Sequence, residues 1–535
     1  MAPRRAGHVH DERRRFPGLR RRRREAAQHA GGAARGDGGR RDGSEAGYRD
    51  AGPRRAAGAR ASSHEAGEEV RLGPLRSGRW VALVVAGCVL AGACSLSPPS
   101  GVASPRPSGG SPAPSAPISL EWPEYHRDSG RSGAGPAEPA LTTPRTAWNV
   151  DVDGDVYASP LIVAGHVIVA TENNTVYSLD IFTGSTVWQR HFGDPVVAST
   201  LPCGNIGPVT GITGTPAADP ASGRMYVVAF LRGYHHVLYA LSLTDGSVLW
   251  QQTIDPAGSD PRVQQLRGAL AIGSGFVYVP FGGLFGDCGN YHGYMVGVPL
   301  AGGVAHVYRV PAARGASIWA PHGPTIGPDG SVYVVTGNSF SSSSSFDYSD
   351  AVIQLSPDLA TVRSYFAPSN WVALNNGDTD LGSTGAAVLR DLNRVFVIGK
   401  EGVGYLLEPG RLGGVGGQIA SRRICGGAWG GTAWIGSTVF IPCIDGLYAV
   451  SVGSSSLSVA WRSGHPTLAP PMTAAGALWA IESSSAMLYA FEPSSGRTLY
   501  TTSIGGANRY STPAATEGFL VMPAGKKVLA LSVVG

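Results

Sequence analysis

Two carboxylates one residue apart, in Gly377-Asp378-Thr379-Asp380-Leu381-Gly382, form the pattern in this sequence best suited to a hard cation. Ca²⁺ takes oxygen ligands, and Asp378 and Asp380 with Asn338 make the candidate calcium set. His292, in Gly286-Asp287-Cys288-Gly289-Asn290-Tyr291-His292-Gly293, and His322, three residues after Trp319, are the candidate general bases, because imidazole titrates near neutrality. Asp287, Asn290, Trp319 and Lys400 (in Lys400-Glu401-Gly402) complete the ligand-binding candidates. Asp-Gly and Asn-Gly elements also make turns, their side chains capping loop backbone. DxDxG alone is a common pattern, so the turn reading is preferred at each position and no catalytic residue or metal ligand is assigned.

The elements that must position these residues are strands. The chain has 535 residues, 76 of them Gly, with only 15% charged, against roughly 25% for an average soluble domain. Low charge with abundant Gly, Ser and Val argues against coiled coils and helical bundles. Mean hydropathy near zero and no apolar run of about 18 residues argue against a multi-span membrane protein.

The net charge of +5 is carried by the leader: residues 1–79 hold 20 Arg against 10 acidic residues, and the remainder 23 basic against 28 acidic. A nucleic-acid partner inferred from overall charge would rest on that leader alone, so none is expected. Residues 1–79 cannot bury a core and are expected to be disordered. An upstream, mis-assigned start is the preferred account, since targeting segments sit at N-termini. Arg71, Arg76 and Arg79 then form a positive n-region before an apolar run of 14 residues, Trp80–Ala93. Leu90-Ala91-Gly92-Ala93-Cys94 resembles the lipobox of bacterial lipoproteins, which implies a lipid on Cys94 and cleavage just before it. Residues 94–118, rich in Ser and Pro, read as an extended tether. A signal, a lipid and a stalk together place the rest outside the cytoplasm, at the outer face of a bacterial cytoplasmic membrane.

Residues 119–535 repeat. Each unit is a small residue with Pro or Gly, a β run, a tight turn, a second β run, a loop, a Tyr/Leu-containing β run, a Gly turn, and a run often ending in Trp. Ser159–His191 is the clearest copy; others begin near Thr215, Gly268, Gly323, Thr384, Trp429 and Leu468. Such spacings suit four-stranded propeller blades. The last unit, Ser511–Gly535, has three strands, and Thr146–Val152 is an unpaired β segment ahead of the first unit. The expected fold is therefore all-β: an eight-bladed β-propeller of four-stranded antiparallel blades, closed by the N-terminal strand pairing with Leu529–Val533 as the outer strand of the last blade. The stretch 119–140 is poor in strand formers and is expected to contribute little to stability.

In this arrangement Cys425 precedes the inner strand of blade six and Cys443 ends the next strand, with their midpoint near residue 434 and the hairpin turn near Gly436, so the two should pair. Cys203 and Cys288 lie in loops of neighbouring blades on one face, and their pairing is expected too, as suits an exported chain. No CxxCH, CxxC…CxxC or HExxH occurs, so neither attached haem nor zinc is indicated. Long connections (192–214, 255–266, 282–293, 337–350, 368–381) gather on one face at blades two to five, where function is expected. Ser341–Ser345 reads as a loop tip.

Ser178-Leu179-Asp180-Ile181-Phe182-Thr183-Gly184-Ser185-Thr186-Val187-Trp188 resembles the tryptophan-docking motif A-x-D-x-x-T-G-x-x-x-W, with Ser for Ala. The units are thereby similar to the PQQ-like (pyrroloquinoline quinone) propeller repeat, shared by quinoprotein dehydrogenases and the scaffold lipoprotein of the outer-membrane β-barrel assembly machine. Ala240–Trp250 and Ala490–Tyr500 are degraded copies. Glu121-Trp122-Pro123-Glu124-Tyr125-His126-Arg127 also looks like the entry segment of such proteins. The resemblance implies the fold and is silent on chemistry.

Two functions follow. The first, preferred, is a membrane-tethered, non-catalytic module that binds a protein partner or small ligand through the long-loop face. The second is a dehydrogenase with PQQ and Ca²⁺ in the central funnel, oxidising an alcohol or sugar. The resemblance implies for such enzymes an adjacent Cys-Cys pair, which this chain lacks, and an aromatic stacking surface, for which Trp319, Trp371, Trp429 and Trp434 are candidates. A small-ligand sensor or carbohydrate-binding module is a third class, since funnels admit ligands.

Overall fold

The computed structural model describes residues 121–534 apart from 138–139, 342–344, 466–467 and 517. The leader, the signal run, Cys94, the tether and most of the Ser341–Ser345 tip lie outside the described residues. Eight blades surround one axis, each built on four antiparallel strands from innermost to outermost, with a fifth short strand added in two of them. Blade 1 comprises Leu161–Val163, His166–Ala170, Thr175–Asp180 and Thr186–His191. Its inner strands are buried throughout, whereas its outermost strand alternates and buries Trp188. This explains the sequence pattern: strands sandwiched between blades read as continuous Val/Ile/Leu runs, and only rim strands show period-two alternation. The Ala164-Gly165 turn, with φ of 50° and 78°, has the two left-handed residues a tight hairpin requires. No helix among the described residues is long and apolar enough to cross a membrane.

Blade 8 is assembled from both ends of the described chain. Its strands are Ala514–Thr516, Phe519–Pro523 and Lys527–Ser532, with Arg145–Asp151 added antiparallel at the rim. Trp148 faces Ala530 across this ladder, so the expected closure is observed. The Trp148 indole donates to the Ile181 carbonyl of blade 1 at 2.8 Å. Trp188, Trp250 and Trp461 repeat the contact on the blades that follow them, donating to Leu243, Leu300 and Pro493. Asp180 caps the turn that receives Trp148, accepting from the Thr183 N–H at 2.8 Å and its hydroxyl at 2.9 Å. Gly184 is required there twice over: its φ is +71°, and a Cβ would stand 2.8 Å from the Trp148 ring.

The segment from Glu121, poor in strand formers, is nonetheless packed into the fold. From Glu121 onward the segment runs round one end of the axis, bonding to the innermost strands of successive blades. Trp122 pairs with Ile162 of blade 1, the Pro123 carbonyl accepts from Ala218 of blade 2, and Ser129 from Ile326 of blade 4. Ser132 then accepts from Trp434 of blade 6, and Ala134 bridges to Thr473 of blade 7. Trp122, His126 and Arg131 are fully buried. Strand propensity was the wrong measure, because the segment gains its burial by plugging a preformed channel.

The long connections do emerge on one face. Two details differ from expectation. Second-to-third strand connections are long only in blades 3 and 4, since those of blades 2 and 5 need just Arg232–Tyr234 and Gly399–Gly402. Blade 5 also has a long connection on the opposite face, residues 408–419, from which Gly414–Val415 pairs in parallel with blade 4.

Candidate functional site on the long-loop face and in the funnel

Six of the nine candidate residues lie in one polar cluster above blades 3 to 5. Lys400, just beyond the second strand of blade 5, is its centre. Its ammonium lies 2.9 Å from Asp380, 3.1 Å from Asp378 and 5.8 Å from the centre of the Trp319 ring. Asp380 also accepts the backbone N–H of Asn338 at 2.7 Å. Asp287, which influences Asp378 electrostatically, accepts the Tyr291 hydroxyl at 2.5 Å, and burial raises its pKa. Burial and the neighbouring Asp380 charge push Asp378 up to about 6. Despite partial burial, the paired carboxylates raise the pKa of Lys400 and hold it protonated.

The remaining three candidates lie elsewhere. Asn290 is exposed in its loop. His292 packs against Arg309, whose guanidinium lies 3.0 Å from its Nε2, and burial with that charge lowers its pKa. His322 is fully buried at the axis against the entry segment, and burial lowers it to about 3. Asp350 is a member of the cluster that sequence reasoning missed. It is fully buried, accepts the Leu381 N–H at 3.0 Å, and burial and Asp380 raise its pKa well above the carboxylate range. The Tyr348-Ser349-Asp350 stretch gave no motif to find it by.

The residues named for calcium do not fit it. The ion would need about six to eight oxygens, whereas Lys400 lies between the two carboxylates and the backbone N–H of Asn338 takes an oxygen of Asp380. Among the described residues three potential metal ligands converge only at Cys425, Cys443 and Asp445, and those sulfurs are bonded to each other. Both expected disulfides are present, Cys203–Cys288 and Cys425–Cys443, with Cα separations of 6.1 and 6.3 Å. The first ties the loop entering blade 2 to a loop of blade 3, so it braces the long-loop face.

The central funnel holds a cavity of about 210 Å³, floored by Tyr125 of the entry segment and lined by Tyr157, Thr213, Arg267, Pro321 and Tyr510, among others. These lining residues were also missed. Their signal was positional: Tyr157, Thr213, Pro321 and Tyr510 each stand three residues before the Pro that opens a blade, and Arg267 stands at the equivalent place before Leu270. Glu172 lies beside this wall, buried, with Oε2 accepting the Gly211 N–H at 2.7 Å and Oε1 without a hydrogen-bond partner among the described residues. Burial pushes it up to about 7.

Residues 140–355 match the family model described as outer membrane protein assembly factor BamB. The fold is similar to quinohemoprotein alcohol dehydrogenase from Comamonas testosteroni, with a TM-score of 0.61 and 14% identity over 78% of this chain and 81% of that one. A europium-containing methanol dehydrogenase gives 0.57 and 12%, over 77% of this chain and 98% of that one. BamB from Moraxella catarrhalis gives 0.51 and 13%, over 73% and 100%. The fold is an eight-bladed β-propeller, and the likeness to that family model covers residues 140–355. No curated protein sequence matches it significantly. At such identities the likeness establishes the fold, and the PQQ-like frame is common to the dehydrogenases and the assembly factor alike.

The frame's quinone can be tested against these residues. None of the four candidate stacking tryptophans lines the funnel cavity. Trp371 opens a short helix packed into blade 4, and Trp434 lies in the innermost strand of blade 6. Trp319 faces the Lys400 ammonium, and Trp429 packs at Gly427. The cavity is also below the ~300 Å³ at which pockets for drug-sized ligands begin. These residues do not fit a tricyclic quinone with its calcium.

Proposed function

We propose that this protein is a lipid-anchored, extracytoplasmic binding or scaffold module, held at the outer face of a bacterial cytoplasmic membrane through Cys94. It engages a protein partner or small ligand through its long-loop face, chiefly at blades 2 to 5. The observation that carries this reading is Lys400 between Asp378 and Asp380. The cation in the acidic cluster is a side chain, so these carboxylates brace loops and supply no metal site. The Cys203–Cys288 bridge supports the same reading, since a braced loop face loses little conformational entropy on binding.

The test is to titrate the purified, detergent-solubilised chain with PQQ and Ca²⁺ by calorimetry, then assay dye-linked oxidation of primary alcohols and aldoses. Neither uptake nor turnover is expected. Stoichiometric uptake with turnover would replace this reading by the dehydrogenase.

A further inference from the structure

The funnel cavity lies outside the acid–lysine cluster, and its charge points the other way. Arg267 is half-buried in the wall, and Arg509 stands exposed at the margin. Both hydrogen bonds of Arg267 leave from Nη2, to the amide oxygens of Asn205 at 3.0 Å and Gln265 at 3.3 Å. No carboxylate lies within ion-pair distance of it among the described residues. Glu172 is the carboxylate that acts on it electrostatically, from behind the wall, where burial holds part of its population protonated at neutral pH. Burial lowers the Arg267 pKa and repulsion from Arg509 lowers it further. A guanidinium has five donors, and Nε and Nη1 remain for an anion.

The rest of the wall is hydroxyl and ring. Tyr125, Tyr157, Ser159, Thr213, Thr215 and Tyr510 all reach the cavity. The Tyr125 side chain floors the cavity, and the Tyr157 and Thr213 side chains on its wall bring hydroxyls that suit a ligand bearing hydroxyls. Phosphate is less suited, since phosphate sites commonly use helix N-termini or backbone nests, and no helix contributes to this wall.

We propose that the funnel binds a sugar acid, a monosaccharide-sized hydroxylated carboxylate, with its carboxylate on Arg267 and its hydroxyls on the Tyr157 and Thr213 hydroxyls. This deepens the binding-module reading and rests on it.

The test is calorimetry on the solubilised chain with three probes: D-glucuronate, D-glucose, and propionate, which has the charge without the hydroxyls. D-glucuronate is expected to bind, with the other two at least ~10-fold weaker, because a charge-assisted hydrogen bond and the hydroxyl contacts each contribute about a factor of ten or more. Arg267→Gln should weaken D-glucuronate by about 10-fold or more and Tyr157→Phe by a smaller factor. Circular dichroism establishes that each variant is folded. If Arg267→Gln does not fold, Arg509→Gln at the margin replaces it, with a several-fold loss expected. No heat with D-glucuronate at ~10 mM, equal binding of D-glucose, or arginine variants within about twofold of the parent would each overturn the inference. Such a failure leaves the preceding reading standing, whereas PQQ uptake with turnover would remove that reading itself.

Discussion

Arg131 and Glu124 form an ion pair of 3.2 Å at the propeller axis, the guanidinium fully buried and the carboxylate nearly so. Arg131 also donates to the carbonyls of Tyr125, Pro324 and Leu270, at 3.0, 3.1 and 2.7 Å. Burial pushes the Glu124 pKa up to about 7 against the pull of Arg131, and lowers that of Arg131. Desolvation therefore outweighs mutual attraction in both partners, and the pair depends on the carbonyl ring around it. One arginine joins the entry segment to blades 3 and 4.

Arg131→Met should accordingly destabilise the protein by about 3–5 kcal/mol, because it strands Glu124 and three carbonyls. Deleting residues 121–140 should cost at least as much. Chemical denaturation checks both, and a deletion that melts with the intact chain would show that the plug is dispensable.

Trp148→Ala should cost about 3–5 kcal/mol through lost ring burial, and it opens the joint between blades 8 and 1. Removing 121–152 should do more, exposing the Lys527–Ser532 edge to aggregation. Thermal melting with light scattering reads both effects.

Lys400→Met should destabilise by about 3–5 kcal/mol, since Asp378 and Asp380 lose the cation they pair with and Asp350 loses its favourable field. Adding Asp380→Asn should restore part of that loss, as groups in direct contact are non-additive. A double-mutant cycle by urea unfolding measures the coupling, and additive losses would contradict the network.

Glu172 predicts a pH dependence. Its pKa is raised from 4.5 to about 7 on folding, so the folded state holds a proton that the unfolded state releases. The associated stability is fully present below pH 4.5 and is lost as pH rises through about 7. Glu172→Gln should flatten that decline by up to ~3 kcal/mol. Urea midpoints at pH 4.5, 6 and 8 provide the measurement, and parallel profiles for parent and variant would rule out the assignment.

Cys94→Ala should release the protein from the membrane fraction when it is expressed in a bacterial host, because lipid chains provide the anchorage. Retention in the detergent phase with normal processing would count against the lipid. Reduction of Cys203–Cys288 should loosen the long-loop face, read as faster amide exchange in residues 192–214 and 283–293.

The sequence alone was enough for the blades. Strands sandwiched between neighbours must be continuously apolar, tight turns need Gly or Asn, and a rim tryptophan needs glycine beneath it, so local chemistry repeated eight times specifies the propeller. Its closure by Thr146–Val152 followed from a strand count, and the cysteine pairs from the symmetry of a hairpin and a shared face. The sites are different in kind. Asp378, Asp380 and Asn338 look like calcium ligands in one dimension, and only the fold sets Lys400 between the two carboxylates. His322 looks like a base until it is buried at the axis. The plug at 121–136 has no periodicity because it takes its burial from a channel made by eight other segments. The funnel wall draws one or two residues each from blades 1, 2, 3, 4 and 8, more than 350 positions apart at the extremes. Repeats are written locally because each blade satisfies its own hydrogen bonds. Contacts at the axis belong to no single blade, so only closure of the ring decided them.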